Sequence, residues 1–420
     1  MRIVIVAAGS TGDVLPYTGV AARLVERGHD VALAVASDLT GLVTARGLTA
    51  IPMPIAVGEL VAEFSPLPGL RGRLDTVRRL GEQVKSRAEI IGRGALAAVE
   101  GADLAVVTPL SNLLVALTWG ELPTVGLYLQ PLMPTRDHAP VAFGLRSLGP
   151  LNRAAGQWYL RSLPGPIWPV VQRLRAERGL APLPTPARYV DDVFGQARWP
   201  LLQGFSRHVV PDPADLPAAV RTVGYCWPVP APDWTPPADL VDFLEAGDPP
   251  VVVSFGSMPV GDAAELRHTM LAAARSAGLR VIFQAGWAGL TGEDEPDVLH
   301  IGHAPHEWLL PHAAAFVHHA GAGTSAAGLR AGVPAVPVPV LLDQPFWAHR
   351  LAALGVAPQP IPLHQLTADR LANALRQATT DTSYRRRAGE VAALINQEDG
   401  AGVAAAAIER IGAGLPLDGV

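Results

Sequence analysis

An aliphatic run closing on Gly-Ser occurs twice in this chain, as "RIVIVAAGS" (2–10) and again as "PVVVSFGSM" (250–258). A short apolar run stopped by glycine reads as a strand buried on both faces, which suits a parallel sheet covered by helices. Two such starts lie too far apart for one comfortable core in a chain of 420 residues. The fold class read from them is α/β with two Rossmann-like domains.

Helical patterns alternate with the strand-like runs through most of the chain. The first half offers strands at 2–8, 30–36, 102–109 and 123–130, and the second at 250–258, 279–286, 315–321 and 334–340. Helix follows Asp13, with Leu15, Val20, Leu24 and Val25 near one face and a stop at Gly28. A proline-dense stretch, 209–240, reads as a linker. The expected boundaries are a first domain over 1–208, the linker, a second domain over 241–396, and a terminal helical segment over 397–420. Residues 55–95 and 132–195 break the rhythm; their aromatics, among them Trp158, Trp168 and Tyr189, suit either a substrate-facing region or ordinary packing.

Composition narrows the function. Hydrophobic residues make up 49% and charged ones 17%, and the net charge is −5 with no basic run, so no nucleic-acid partner is expected. Lys85 is the only lysine, and the bias to Arg, Ala, Gly and Pro points to a GC-rich, bacterial genome. Cys226 stands alone, excluding a disulfide framework or cysteine metal cluster. The chain enters its first strand without a leader and has no long apolar run, so a cytoplasmic protein without a transmembrane segment is expected.

The loop "AAGSTGD" (7–13) has the outline of a phosphate loop, but Ala7 stands at the first glycine position of a dinucleotide fingerprint, leaving a lone G-x-x-G followed by Asp13. A lysine-bearing P-loop is absent as well. The denser segment is "FVHHAGAGTSAAGLRAGVP" (316–334). There a strand delivers His318 and His319, Gly321 and Gly323 admit a close backbone approach, and Thr324-Ser325 open a helix. Free N–H groups, hydroxyls, an imidazole and a positive helix end on one point suit a diphosphate. The alternatives are a packed histidine pair or a metal site, although neighbours on a strand face opposite ways and no D-x-D occurs. Asp343 and Gln344, one βα unit later, suit either sugar hydroxyls or a helix cap, and backbone near His303 could read a base edge.

Together these segments resemble the nucleotide-sugar-dependent, UDP-glycosyltransferase-like family 1 with the GT-B fold, nearest its bacterial antibiotic and sterol branches. The likeness spans nearly the whole chain and is strongest over 251–257 and 301–360, where "HAPHEWLLPHAAAFVHHAGAGTSAAGLRAGVPAVPVPVLLDQPFW" looks like the family's donor signature. It implies that the two domains face each other across a cleft, with the terminal helix crossing back to the first. It implies that His319 contacts the donor diphosphate, that Gly321, Gly323, Thr324 and Ser325 cradle it, and that Ser257 reaches it from the other side. Asp343 and Gln344 would hold sugar hydroxyls, and backbone at Ala304 and Pro305 would hold the base. Departures are His303 where plant relatives stack a Trp, and Ala320 where glycine is common.

The resemblance further implies an inverting transfer without metal or other cofactor. The sugar would pass from a UDP- or dTDP-linked donor such as UDP-glucose to a small lipophilic alcohol, either a polyketide or macrolide of antibiotic biosynthesis or a sterol-like compound. Ser10, Thr11 and Gly12 would form the acceptor-side loop, and Asp13 would be the general base, its alternative being a helix cap. A nucleotide-sugar 2-epimerase and a silent auxiliary homologue that activates a partner are the competing functions, and a monomer or homodimer is expected.

Overall fold

The computed structural model describes every residue except 57, 59–68, 145, 196–198, 232, 257, 259–261, 287 and 418–420. In the first domain seven strands form one parallel sheet: β1 (Arg2–Ala7), β2 (Asp30–Ala36), β3 (Thr49–Met53), β4 (Leu104–Val107), β5 (Thr124–Tyr128), β6 (Leu201–Gln203) and β7 (Val220–Thr222). Their order is β3-β2-β1-β4-β5-β6-β7. The second sheet is also parallel, with β8 (Val251–Ser254), β9 (Val281–Gln284), β10 (Val298–Ile301), β11 (Ala315–His318) and β12 (Ala335–Pro337) in the order β10-β9-β8-β11-β12. Ile3 through Ala7 and Val251 through Val253 are buried on both faces, which is why these strands read as continuous aliphatics rather than alternating ones.

Both orders reverse once, between β1 and β4 and between β8 and β11. Ligands of open α/β sheets bind beyond the carboxyl ends of strands at that reversal. The two loops singled out by sequence, after β1 and after β11, emerge at these places.

Four strands escaped the sequence reading: β3, β6, β7 and β10. Three of them are edge strands, where Pro52 in β3 is tolerated because one side of the ladder has no partner. Strand β7 lies inside 209–240, so that stretch is corrected from a bare linker to one that first completes the first sheet. Val220 and Thr222 bury there, and the proline-rich crossing follows. No described residue of 132–195 lines the cleft, and Trp168 and Tyr189 pack within the first-domain core.

The helix Gly400–Gly412 returns to the first domain, burying Ala401, Ala404, Ala405 and Ile408 beside Tyr17 and Leu24. Small residues let it approach closely: a Cβ on Gly400 would sit 2.5 Å from the backbone of Gly224. No helix among the described residues is long and apolar enough to cross a membrane.

Candidate functional site

The domains enclose a cleft of about 990 Å³. Ser10, Thr11, Gly12 and Asp13 line it from the first domain; His303, Ala304, Pro305, His319, Gly323 and Thr324 line it from the second. The walls meet closely, since a Cβ on Gly323 would lie 3.7 Å from the Gly12 carbonyl oxygen.

Ser10 caps the helix Thr11–Glu26, and Asp13 is the third residue of that helix rather than its cap. The Ser10 backbone N–H and hydroxyl both donate to Asp13 Oδ2, at 2.9 and 3.0 Å. Oδ1 takes no bond from the described residues. Burial raises the Asp13 pKa above its ordinary 3.8, and the two Ser10 bonds oppose the rise. Gly9 makes this possible: its φ is +152°, and a Cβ there would stand 2.6 Å from Asp13 Cβ. Gly9→Ala combines backbone strain with overpacking, and urea unfolding should show a loss of about 2 kcal/mol. An unchanged midpoint would mean that the loop adapts freely.

Across the cleft, β11 ends at His318, His319 follows it, and Gly321 caps the helix Ala322–Arg330. His319 is buried, and its Nδ1 meets no partner among the described residues. Burial, with His306 nearby, lowers its pKa to about 4, so the ring is neutral at pH 7 and can donate one N–H. Gly321 lies under the ring, because a Cβ there would come 2.5 Å from Nε2. Gly323 and Thr324 face the cleft at the helix's amino end, whereas Ser325 is buried behind them with its hydroxyl unpartnered. Ala320 adopts φ +62°, a left-handed conformation that explains why glycine is common there. Its methyl is fully buried, worth about 0.8 kcal/mol, which offsets much of the strain.

The loop after β12 carries Asp343 and Gln344. Asp343 precedes the helix Gln344–Ala353 but makes no capping bond; its Oδ2 accepts the Trp347 indole N–H at 2.9 Å. Burial pushes its pKa up to about 6, and the charge of Asp13 adds to the rise, so the two carboxylates sense each other across the domains. Gln344 is more committed than its sequence suggested. Its Oε1 takes the N–H groups of Val340 and Leu341, and the residue is buried. Neither Asp343 nor Gln344 lines the cleft itself; the adjacent Leu341 and Leu342 do. Ser257 lies outside the described residues. Among the described residues no three His, Cys, Asp or Glu side chains converge as metal ligands.

Comparison with known proteins places this geometry. Residues 281–409 match the C-terminal domain of erythromycin biosynthesis protein CIII-like proteins. Over 97% of both chains the sequence is 35% identical to an O-mycaminosyltylonolide 6-deoxyallosyltransferase of Streptomyces fradiae. The chain belongs to this glycosyltransferase family. It is also 31% identical, over 95% of its length, to a sterol 3-beta-glucosyltransferase of Arabidopsis thaliana, of which the match covers 64%. The glycosyltransferase of kitacinnamycin superposes with a TM-score of 0.68 at 23% identity, covering 99% of each chain. VinC, solved in complex with dTDP, gives 0.67 at 20% identity, covering 98% of this chain and all of that one. The fold is GT-B, and the protein is an enzyme of the glycosyltransferase class.

Sequence reasoning passed over several cleft residues of this glycosyltransferase. Gln284, at the carboxyl end of β9, is buried; its Nε2 donates to Ala304 O at 2.8 Å and its Oε1 pairs with His306 Nε2 at 3.1 Å. It thereby sets the shape of the His303–His306 turn. A polar residue closing the aliphatic run "RVIFQ" was the available signal. Arg46 and Arg330 also line the cleft, and nothing in their sequence context marks them.

Proposed function

We propose that this enzyme transfers a sugar, with inversion and without metal, from a nucleoside-diphosphate sugar to a hydroxyl of a small lipophilic acceptor. The observation that carries the reading is the opposition of two unlike groups across the cleft. Asp13, a carboxylate with one unused oxygen and raised basicity, faces the positive amino end of the helix Ala322–Arg330 and the neutral His319. Asp13 accepts the acceptor's proton as that oxygen bonds to the anomeric carbon. The bond from that carbon to the diphosphate breaks, and the nucleoside diphosphate departs with its electron pair. The His319 N–H, the helix end and the Thr324 hydroxyl stabilise the charge growing on the leaving group.

Apolar side chains support a lipophilic acceptor: Ile55, Ile91, Leu110 and Leu129 line the first-domain side, and Leu110 is 59% exposed. The Streptomyces relative's name points to a macrolide acceptor and a 6-deoxysugar, the Arabidopsis relative's to a sterol and glucose. The dTDP complex of VinC favours a dTDP-linked donor over UDP-glucose. The deciding experiment crosses dTDP- and UDP-sugars with macrolide aglycones and sterols while following nucleotide release. Release only with both partners present is expected. Donor turnover without acceptor would mean an epimerase, and no release from any pair would mean an auxiliary homologue.

A further inference from the structure

Arg330 closes the helix whose amino end faces the cleft, and its own side chain also lines the cleft. Gly323, Thr324, Ala326, Ala327 and Arg330 all line it, so one face of this helix forms a continuous wall. Thr324 to Arg330 spans six residues, a rise of about 9 Å. On that donor reading the sugar end lies at the helix's amino end, where Gly12 and Asp13 line the cleft and the Gly12 carbonyl oxygen stands 3.7 Å from where a Cβ on Gly323 would be. A nucleoside attached to phosphates at Thr324 is thus directed along the wall towards Arg330.

The two arginines of the cleft differ in what they already hold. Arg46 donates to Val229 O and Leu42 O, both at 2.7 Å, so its guanidinium is committed to the fold. The half-buried Arg330 guanidinium donates to no acceptor among the described residues. Instead it lies over the Trp227 ring, with Cζ 4.5 Å from the centroid. A guanidinium held over an aromatic face uses its own face for that contact, so its edge N–H groups are not consumed by it. The charge of Glu307, two residues beyond Pro305, reaches both arginines, which places Arg330 at the same end of the cleft as the His303–His306 turn. A half-buried fork of donors without acceptors is the complement of a ligand rich in oxygen acceptors.

We propose that Arg330, held by Trp227, is a specificity residue for the nucleoside part of the donor, donating to its base carbonyl or sugar oxygens. This rests on the donor-site reading above. Unlike the phosphate cradle, it distinguishes a nucleoside diphosphate from a bare pyrophosphate.

Calorimetric titration with dTDP, UDP and inorganic pyrophosphate tests it on wild type, Arg330→Met, Arg330→Lys and Trp227→Leu. Charged hydrogen bonds of this kind imply a roughly 10- to 100-fold loss of dTDP or UDP affinity in Arg330→Met, with pyrophosphate affinity held within about twofold. Arg330→Lys should recover part of the loss, and Trp227→Leu should reproduce a smaller version of it. A far-ultraviolet spectrum and thermal midpoint like wild type's show that each variant is folded. Equal weakening of pyrophosphate and nucleotide, or a change confined to the acceptor's KM, would overturn the proposal. If wild type bound pyrophosphate but gained nothing from the nucleoside, Arg330 would have no such role. If wild type bound none of the three, the donor site itself would be misplaced.

Discussion

Asp13→Asn should lower glycosyl transfer by about 10²- to 10⁴-fold while leaving nucleoside-diphosphate affinity nearly unchanged. The amide preserves the shape of the side chain and can still accept from Ser10 through its oxygen, so the helix start survives. What it loses is the capacity to take a proton. An alcohol is far less acidic than any carboxylic acid, so the transfer must accompany bond formation, and a raised carboxylate pKa helps it. The pH profile gives a second reading of the same variant. Asp13 works ionised, so wild-type rate is lost as pH falls through its pKa, which burial has moved above 3.8. Asp343 titrates near 6, raised first by burial, with the Asp13 charge adding to the rise. In Asp13→Asn that charge is gone, so the acid limb of Asp13 should disappear and the Asp343 pKa should fall below about 6. Transfer within about threefold of wild type, well short of a general base's contribution, would remove Asp13 from the chemistry and leave it as Ser10's partner in the helix start.

His319→Ala should cost about 10²- to 10³-fold in kcat, the usual loss for one preorganised donor at a site of developing charge. The ring is neutral in the free enzyme, with a pKa near 4, so its contribution is a directed N–H rather than a full positive charge. Two consequences separate it from a cationic histidine. No limb from His319 should appear in kcat/KM between pH 6 and 8, and His319→Gln, which keeps a donor, should recover part of the rate. Truncation also opens a cavity beside Phe255, whose ring lies 6.4 Å from the imidazole, so the thermal midpoint is read alongside. A drop in kcat that scales only with lost stability, and that Gln does not relieve, would assign the ring to packing.

The chemistry of each half-site is written in short contiguous stretches, and those were legible. A run such as "RIVIVA" can bury both faces only inside a parallel sheet, and "HHAGAGTS" sets a strand end, two small residues and a helix start within a few positions. Local chemistry also showed Asp13 at the start of a helix, though it could not tell a cap from a base. That distinction depends on Gly12 and Gly323, more than three hundred positions apart in the chain yet nearly touching across the cleft. Strands β3, β7 and β10 escaped because they are short and Pro52, Arg221 and His300 interrupt their apolar runs. Gln344 was readable as a sugar ligand, and folding spent its carbonyl oxygen on Val340 and Leu341 instead.

Sequence by itself therefore determined two parallel sheets, a diphosphate-suited helix start and an acid placed at the opposite strand end, since each follows from residues adjacent in the chain. Tertiary structure alone decided which side chains remain free for ligands. Gln284 is committed to a turn twenty residues away, and Arg46 to a carbonyl 183 residues away, whereas Arg330 keeps its donors. A polar group's availability depends on every partner that folding brings within hydrogen-bond reach, and those partners come from anywhere in the chain.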